Sequence, residues 1–229
     1  MKKKASLILL LFGIWLGVSA VAHAQVVMNT VINLTVYIPG GYWEDERGNW
    51  GVYPPEKMRV TTKDILNILT NEVGVVLPNG AKLALIVTDF DVLGDGIDGY
   101  VAIVNATNGI IAVVDDWLSL EIYHTGVPLS GRGNGNTGAF TLKGKAPGDW
   151  SFLFPSEGVG GWFGGVFDYS ISAGAFDSYG RQTVTASLRC SQLSGWGGDL
   201  YWDGWEWSYW EEFLLLGNFN STGKAIIQD

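Results

Sequence analysis

Aromatic rings set among carboxylates are the most distinctive chemistry in this sequence. Of 11 tryptophans, nine fall in three glycine-rich, acidic segments. Residues 40–51 carry Trp43 and Trp50, residues 147–165 carry Trp150 and Trp162, and residues 195–210 carry Trp196, Trp202, Trp205, Trp207 and Trp210. An indole buries a large area while its N–H seeks a partner, so tryptophan suits surfaces that are half apolar and half wet. A sugar ring is such a partner, since its C–H face stacks on indole while nearby Asp and Glu accept its hydroxyls. In Trp205-Glu206-Trp207-Ser208-Tyr209, strand alternation puts Trp205, Trp207 and Tyr209 in one row. The ligand-binding candidates are therefore Trp43, Trp50, Trp202, Trp205, Trp207 and Tyr209, directed at polysaccharide or a surface protein. The competing reading packs these rings under their own loops, because aromatics usually end up buried.

A second cluster is acidic. Asp89, Asp91, Asp95 and Asp98 lie close together beside Gly94, Gly96 and Gly99. Calcium takes six to eight oxygens, and closely spaced Asp in a tight glycine turn can supply several. The spacing departs from the EF-hand loop, because Tyr100 stands where the twelfth-position Glu belongs. An acidic connection between two buried strands explains the same residues through the turn preference of Asp. Calcium is thus the lesser expectation, and no other cofactor is implied.

Catalytic constellations are sparse. Glu44, Glu46, Glu206, Glu211 and Glu212 neighbour aromatics, but nothing pairs two of them across a cleft as a glycosidase requires. His124 is the one histidine beyond residue 23, and no G-x-S-x-G elbow accompanies it. Cys190 alternates with polar neighbours in a way that predicts a buried, inert thiol. Gly133 to Gly138 matches G-x-G-x-x-G without the strand before and helix after that give that motif meaning. Ser221 and Lys224 match S-x-x-K without a helix to present them. Asn33, Asn105 and Asn220 head N-x-[ST] triplets, which matter only in a glycosylating host. The expectation is a non-catalytic protein.

The ends and the composition bear on where it works. Lys2, Lys3 and Lys4 precede an apolar run over 5–18, and Ala22-His23-Ala24 offers small residues where a signal peptidase reads them. This predicts an export signal over 1–24, leaving a β-rich domain over 25–229 in the periplasm, at the cell surface or outside. The apolar run is shorter than the roughly 20 residues of a membrane-spanning helix, and no later stretch reaches that length. Cleavage takes three of the 14 basic residues, leaving 11 against 23 acidic ones, a net charge of −12. Such acidity argues against nucleic acid and anionic membrane surfaces as partners. One cysteine excludes an intrachain disulfide, so the core alone must hold the fold.

Short apolar runs punctuated by 32 glycines predict a mainly β fold, a β-sandwich, with an open β-barrel as the alternative. Residues 26–38 form a long alternating first strand. Thr61 and Asp64 resemble a capping box opening a short helix near 62–72, ended by Gly74. Residues 81–87, almost wholly apolar, predict a strand buried on both faces. Residues 99–104 and 110–114 flank a turn at 105–109, and 117–123 extend the sheet. A polar, mobile loop over 126–138 is expected, then strands near 139–143, 150–154, 166–172 and 182–190. Asp203-Gly204 predicts a two-residue hairpin, and a turn over 218–223 separates two closing strands.

The order of these blocks resembles a loose group of uncharacterised exported β-rich bacterial proteins. The likeness rests on the leader, the long first strand, the helix opening Thr61-Thr62-Lys63-Asp64-Ile65, the strand Ala81-Lys82-Leu83-Ala84-Leu85-Ile86-Val87 and a glycine-rich end over 217–227. The Trp-rich segments depart from it. The resemblance implies export and β architecture and no assigned activity.

Overall fold

Alternation in the first strand sets the inside and outside of the molecule. In the protein's structure, a computed structural model that describes residues 26–90, 97–114, 118–122, 130–154, 157–202, 207–209 and 212–228, β1 (Val26–Ile38) turns Val26, Met28, Thr30, Ile32, Leu34 and Val36 inward. After it come β2 (Gly41–Glu44), β3 (Trp50–Tyr53), β4 (Glu56–Thr61) and one helix, α1 (Thr62–Val73). The chain continues through β5 (Lys82–Phe90), β6 (Ile97–Val104), β7 (Ile110–Val113), β8 (Leu118–Ile122) and β9 (Ser130–Asn134). It closes with β10 (Ala139–Phe154), β11 (Val159–Ala173), β12 (Arg181–Trp202), β13 (Trp207–Tyr209) and β14 (Phe213–Gln228).

Twelve strands form one antiparallel sheet whose main order is β7-β6-β5-β1-β14-β12-β11-β10-β8, with β4, β9 and β13 branching from β1, β10 and β12. The fold is mainly β, and the sheet is not closed into a barrel. Its two halves fold over a shared core, as in a sandwich: Leu83, Leu85, Val101 and Ile103 from one side join Trp150, Phe163, Phe167 and Leu188 from the other. β8 returns alongside β6, yet no ladder joins them among the described residues. Strand β5 is buried on both faces as its unbroken apolar run requires, with Leu83 and Leu85 in the main core and Ala84 and Ile86 in a smaller cluster behind it.

A branch in β1 fixes the helix. On one edge β1 pairs with β5 over Val26–Asn29 and with β4 over Asn33–Ile38. Backbone groups stranded at the branch would cost about 1–3 kcal/mol each if buried without partners. Two threonines supply them. Leu85 N–H donates to Thr30 Oγ1 at 3.1 Å. Ile32 N–H donates to Thr62 Oγ1 at 2.8 Å, and the Thr62 hydroxyl donates back to Ile32 C=O at 3.0 Å. The helix starts there with its capping residues in place, since the Asp64 carboxylate accepts both the Thr61 N–H (2.8 Å) and its hydroxyl (2.7 Å). Gly74, at φ 65°, ends it in the left-handed conformation. Ile65, Leu66 and Leu69 bury against the core, each contributing about 1.5–3 kcal/mol by area removed from water.

Several expected breaks are absent. Residues 139–154 form one strand through Gly144, Pro147 and Gly148, because an unbroken ladder to β11 spans them. β14 is likewise continuous where a turn over 218–223 was expected. It lies between β1 and β12, and Phe219 and Ser221 keep the inward alternation. Gly217 and Gly223 permit this, since a Cβ at either would strike the carbonyl oxygen of Asn33 or Val27. Part of the expected 126–138 loop is β9, an edge strand whose exposed side chains give no apolar signal and whose backbone ladder with Ala139–Lys143 is joined by a hydrogen bond from the Ser130 hydroxyl to the Lys143 carbonyl at 3.3 Å. Residues 126–129 lie outside the described residues. Trp202 stands opposite Trp207, so four residues rather than Asp203-Gly204 alone separate these strands.

Candidate functional site

The tryptophans divide by the direction in which each strand turns them. Trp150 points inward on β10 and is fully buried, its ring 5.8 Å from Phe163 and 5.1 Å from Phe219. For this residue the core reading holds. Trp43, Trp50 and Trp202 are 50%, 74% and 55% exposed. Trp207 and Tyr209 lie in β13, opposite Trp202 and Leu200. Trp205 lies outside the described residues.

Trp43 and Trp50 sit on a hairpin of their own, for among the described residues β2 and β3 pair only with each other. Its turn is built by Asp45, whose Oδ1 accepts the N–H groups of Arg47 and Asn49 at 2.9 Å and whose Oδ2 accepts Asn49 Nδ2 at 2.8 Å. Those bonds, the Asn49 side chain foremost, hold the Asp45 carboxyl below the usual range. Gly48, at φ 75°, completes the turn. On one face the Trp43 indole covers Gly51 so closely that a Cβ there would lie 2.8 Å from the ring, and the Tyr53 ring covers Gly41. On the other face Tyr42 opposes Val52 and Glu44 opposes Trp50, all exposed. Both faces thus offer aromatic surface to solvent.

The strand registers bring this hairpin and Trp202 to one end of the sheet. β1 and β12 run in the same direction on either side of β14, with Tyr37 and Trp196 both opposite Leu214. The β2–β3 hairpin follows the end of β1 and Trp202 ends β12, strands that lie two sheet positions or roughly 10 Å apart.

The same registers reveal two indoles that were not among the candidates. Trp162 lies directly opposite Trp196, and both point outward, 37% and 40% exposed. The signal was present in period two: Phe163 turns inward, so Trp162 must turn out. Without the register, nothing linked it to Trp196 across 34 residues.

The remaining candidates are described in part. Asp89 opposes Asp98 across a bulge in the β5–β6 ladder, while Asp91 and Asp95 lie outside the described residues. Among the described residues no three His, Cys, Asp or Glu side chains gather as a metal site. Glu44, Glu46 and Glu212 are exposed, and Glu206, Glu211 and His124 lie outside the described residues. Cys190 is buried as its alternation predicts, and desolvation pushes its thiol pKa up. Among the described residues no helix is long and apolar enough to cross a membrane. Compared with known protein families, characterised proteins and solved structures, the chain matches none.

Proposed function

We propose that this is an exported, non-catalytic binding protein that holds an extracellular glycan through tryptophans at one end of its sheet. The observation that carries the reading is the placement of Trp43, Trp50 and Trp202 in solvent, on elements that extend beyond the main ladder. Large aromatic side chains left in water weaken a fold that has no other use for them, whereas a sugar ring or a protein surface covers them productively. Carboxylates stand among the rings: Glu44 opposes Trp50. They can accept sugar hydroxyls, and the acidic chain disfavours anionic partners. Export rests on the Lys-rich, apolar leader over 1–24.

A structural role in an envelope or matrix is favoured by one observation, the burial of Trp150. It leaves the hairpin unexplained. The test is affinity of the chain for insoluble and soluble polysaccharides, with the paired variant Trp43→Ala, Trp50→Ala alongside. Retention that weakens at least tenfold in the variant supports the reading. Retention unchanged by the variant contradicts it.

A further inference from the structure

At the end of the sheet away from Trp202, the outer face reverses the sign of the chain's charge. Strands β9, β10, β11, β12 and β14 hold six of the 14 basic residues but three of the 23 acidic ones. Two of those three belong to the tryptophan end: Asp199 lies three residues before Trp202, and Asp149 opposes Gly164, two residues from Trp162. Asp168 is left alone among the cations.

The strand registers lay this region out in rows. Arg132 of β9 and Lys224 of β14 stand at the ends of one row, with Thr141, Ser172 and Thr185 between them. In the next row Lys143 leads to Ser170, Ser187 and Thr222. A third aligns Lys145, Asp168 and Arg189. Tyr169, Ile171, Ala186 and Leu188 alternate with these residues and are buried, so the rows face outward. By strand spacing and rise, the three rows cover roughly 19 Å by 13 Å.

Internal pairing does not account for the cations. All five are exposed, and among the described residues the side chains of Arg132, Lys143, Arg189 and Lys224 have no ionic or hydrogen-bonding partner. Asp168 stands between Lys145 and Arg189 and closes on Lys145 at 2.8 Å. That pair is exposed to solvent and holds neither partner firmly. Lysines near a sheet edge guard against stray strand pairing, which serves for Lys143 and Lys145. Arg189 and Lys224 lie on strands paired on both sides, where no edge needs guarding.

The surroundings of the cations select the occupant. Five charges spread over that area exceed what one small anion can reach, so they suit an extended polyanion. Between them the outward side chains are short hydroxyls, and the Ser172 and Thr185 hydroxyls bond to each other at 2.7 Å. Long Lys and Arg side chains thus rise around a low polar floor. No aromatic or large apolar side chain points out within the three rows, so stacked bases, inserted acyl chains and a protein hot spot find no anchor there. Hydroxyls on the floor match sugar hydroxyls, while Lys and Arg meet carboxylate or sulfate groups with charge-assisted bonds. Arg189 precedes Trp196 by seven residues, roughly 20 Å, beyond the Debye length of about 8 Å in physiological salt. The acidic tryptophan end therefore does not cancel this local field.

We propose that this face binds an anionic polysaccharide laid across β10, β11, β12 and β14. The inference shares the glycan class with the function proposed above and uses none of its residues.

The test is calorimetric titration of the chain with polygalacturonate, dextran sulfate and uncharged dextran. At least one anionic polymer should bind about tenfold or more tighter than dextran, with affinity falling as salt rises from about 50 to 300 mM. The two anionic polymers separate carboxylate from sulfate as the preferred group. Arg189→Glu with Lys224→Glu should weaken binding by about tenfold or more. Arg189→Gln with Lys224→Gln should weaken it in the same direction while leaving circular dichroism and Tm intact. Trp43→Ala with Trp50→Ala should leave this component within about twofold. Absence of salt-sensitive binding by the unaltered chain overturns the proposal, as does affinity unchanged in both charge variants. Loss in the hairpin variant alone also overturns it and leaves the tryptophan reading standing. Tighter binding to polyglutamate or to phosphatidylglycerol vesicles than to either polymer overturns the glycan assignment, because the face would then belong to an acidic protein or a membrane.

Discussion

Residues 39–55 join β1 to β4, and the structure predicts that the fold does not need most of them. Ile38 lies opposite Glu56, so these 17 residues are in effect one long loop between two paired strands, with the β2–β3 hairpin built inside it. Replacing them with a four-residue turn shortens the closure, which the logarithmic dependence of loop entropy values at about 1 kcal/mol in favour of the shorter chain. Against this stands the loss of the hairpin itself, which as an isolated two-stranded element is marginally stable at best. The net change should therefore stay within about 1 kcal/mol of zero, or roughly 2–4 °C in Tm for a chain of this size. The assay is urea unfolding followed by far-UV circular dichroism, with polysaccharide affinity measured on the same preparation. Stability should hold while affinity falls. A loss of more than about 3 kcal/mol would refute the reasoning, because it would make the hairpin part of the core.

Further outcomes follow from the burial and the hydrogen bonds. Trp150→Ala should cost about 3–5 kcal/mol as a large core deletion, whereas Trp50→Ala should stay within about 0.5 kcal/mol, both read from urea midpoints. Three carboxyls are held below their usual range: Asp45 and Asp64 mainly by side-chain hydrogen bonds from Asn49 and Thr61, and Asp177 mainly by the Arg181 backbone N–H. A depressed folded pKa gives stability that is present above the unfolded value near 3.8 and lost as pH falls through the lower folded value. Denaturation midpoints should accordingly drop below about pH 4, and Asp64→Asn with Asp177→Asn should flatten that dependence. Cys190 should resist a thiol reagent at neutral pH in the native protein and react at once in urea. A reactive native thiol would contradict its burial.

Much of the fold was legible because local rules and packing agree there. The span of β1, the capping box at Thr61 and Asp64, the Gly74 stop and the doubly buried β5 each follow from side-chain period or end chemistry. The failures share one cause. Gly144, Pro147, Gly148, Gly217 and Gly223 read locally as punctuation, but the long ladder to β11 carries β10 straight through, and ladders on both sides do the same for β14. In β14 those glycines answer a tertiary demand, the approach of a neighbouring strand's carbonyl, which no local pattern announces. Edge strand β9 was hidden for the converse reason, having backbone pairing and no apolar face. The site was half legible. Composition marked the Trp segments, and Trp43, Trp50 and Trp202 are exposed, yet Trp150 from the same composition is core. Only register could set Trp162 against Trp196, since pairing partners far apart in sequence are fixed by the whole sheet.

The central claim is that several indoles face water in order to be covered by glycan, and acrylamide quenching of tryptophan emission tests it most directly. The measurement is made on the chain alone and with saturating hexasaccharide or soluble polysaccharide. The account predicts an accessible population from Trp43, Trp50, Trp202, Trp162 and Trp196 alongside a protected one from Trp150, and an accessible fraction that shrinks when glycan is added. Uniformly blue-shifted, protected emission would contradict the exposure. An accessible fraction unchanged by every glycan tried would contradict the binding role.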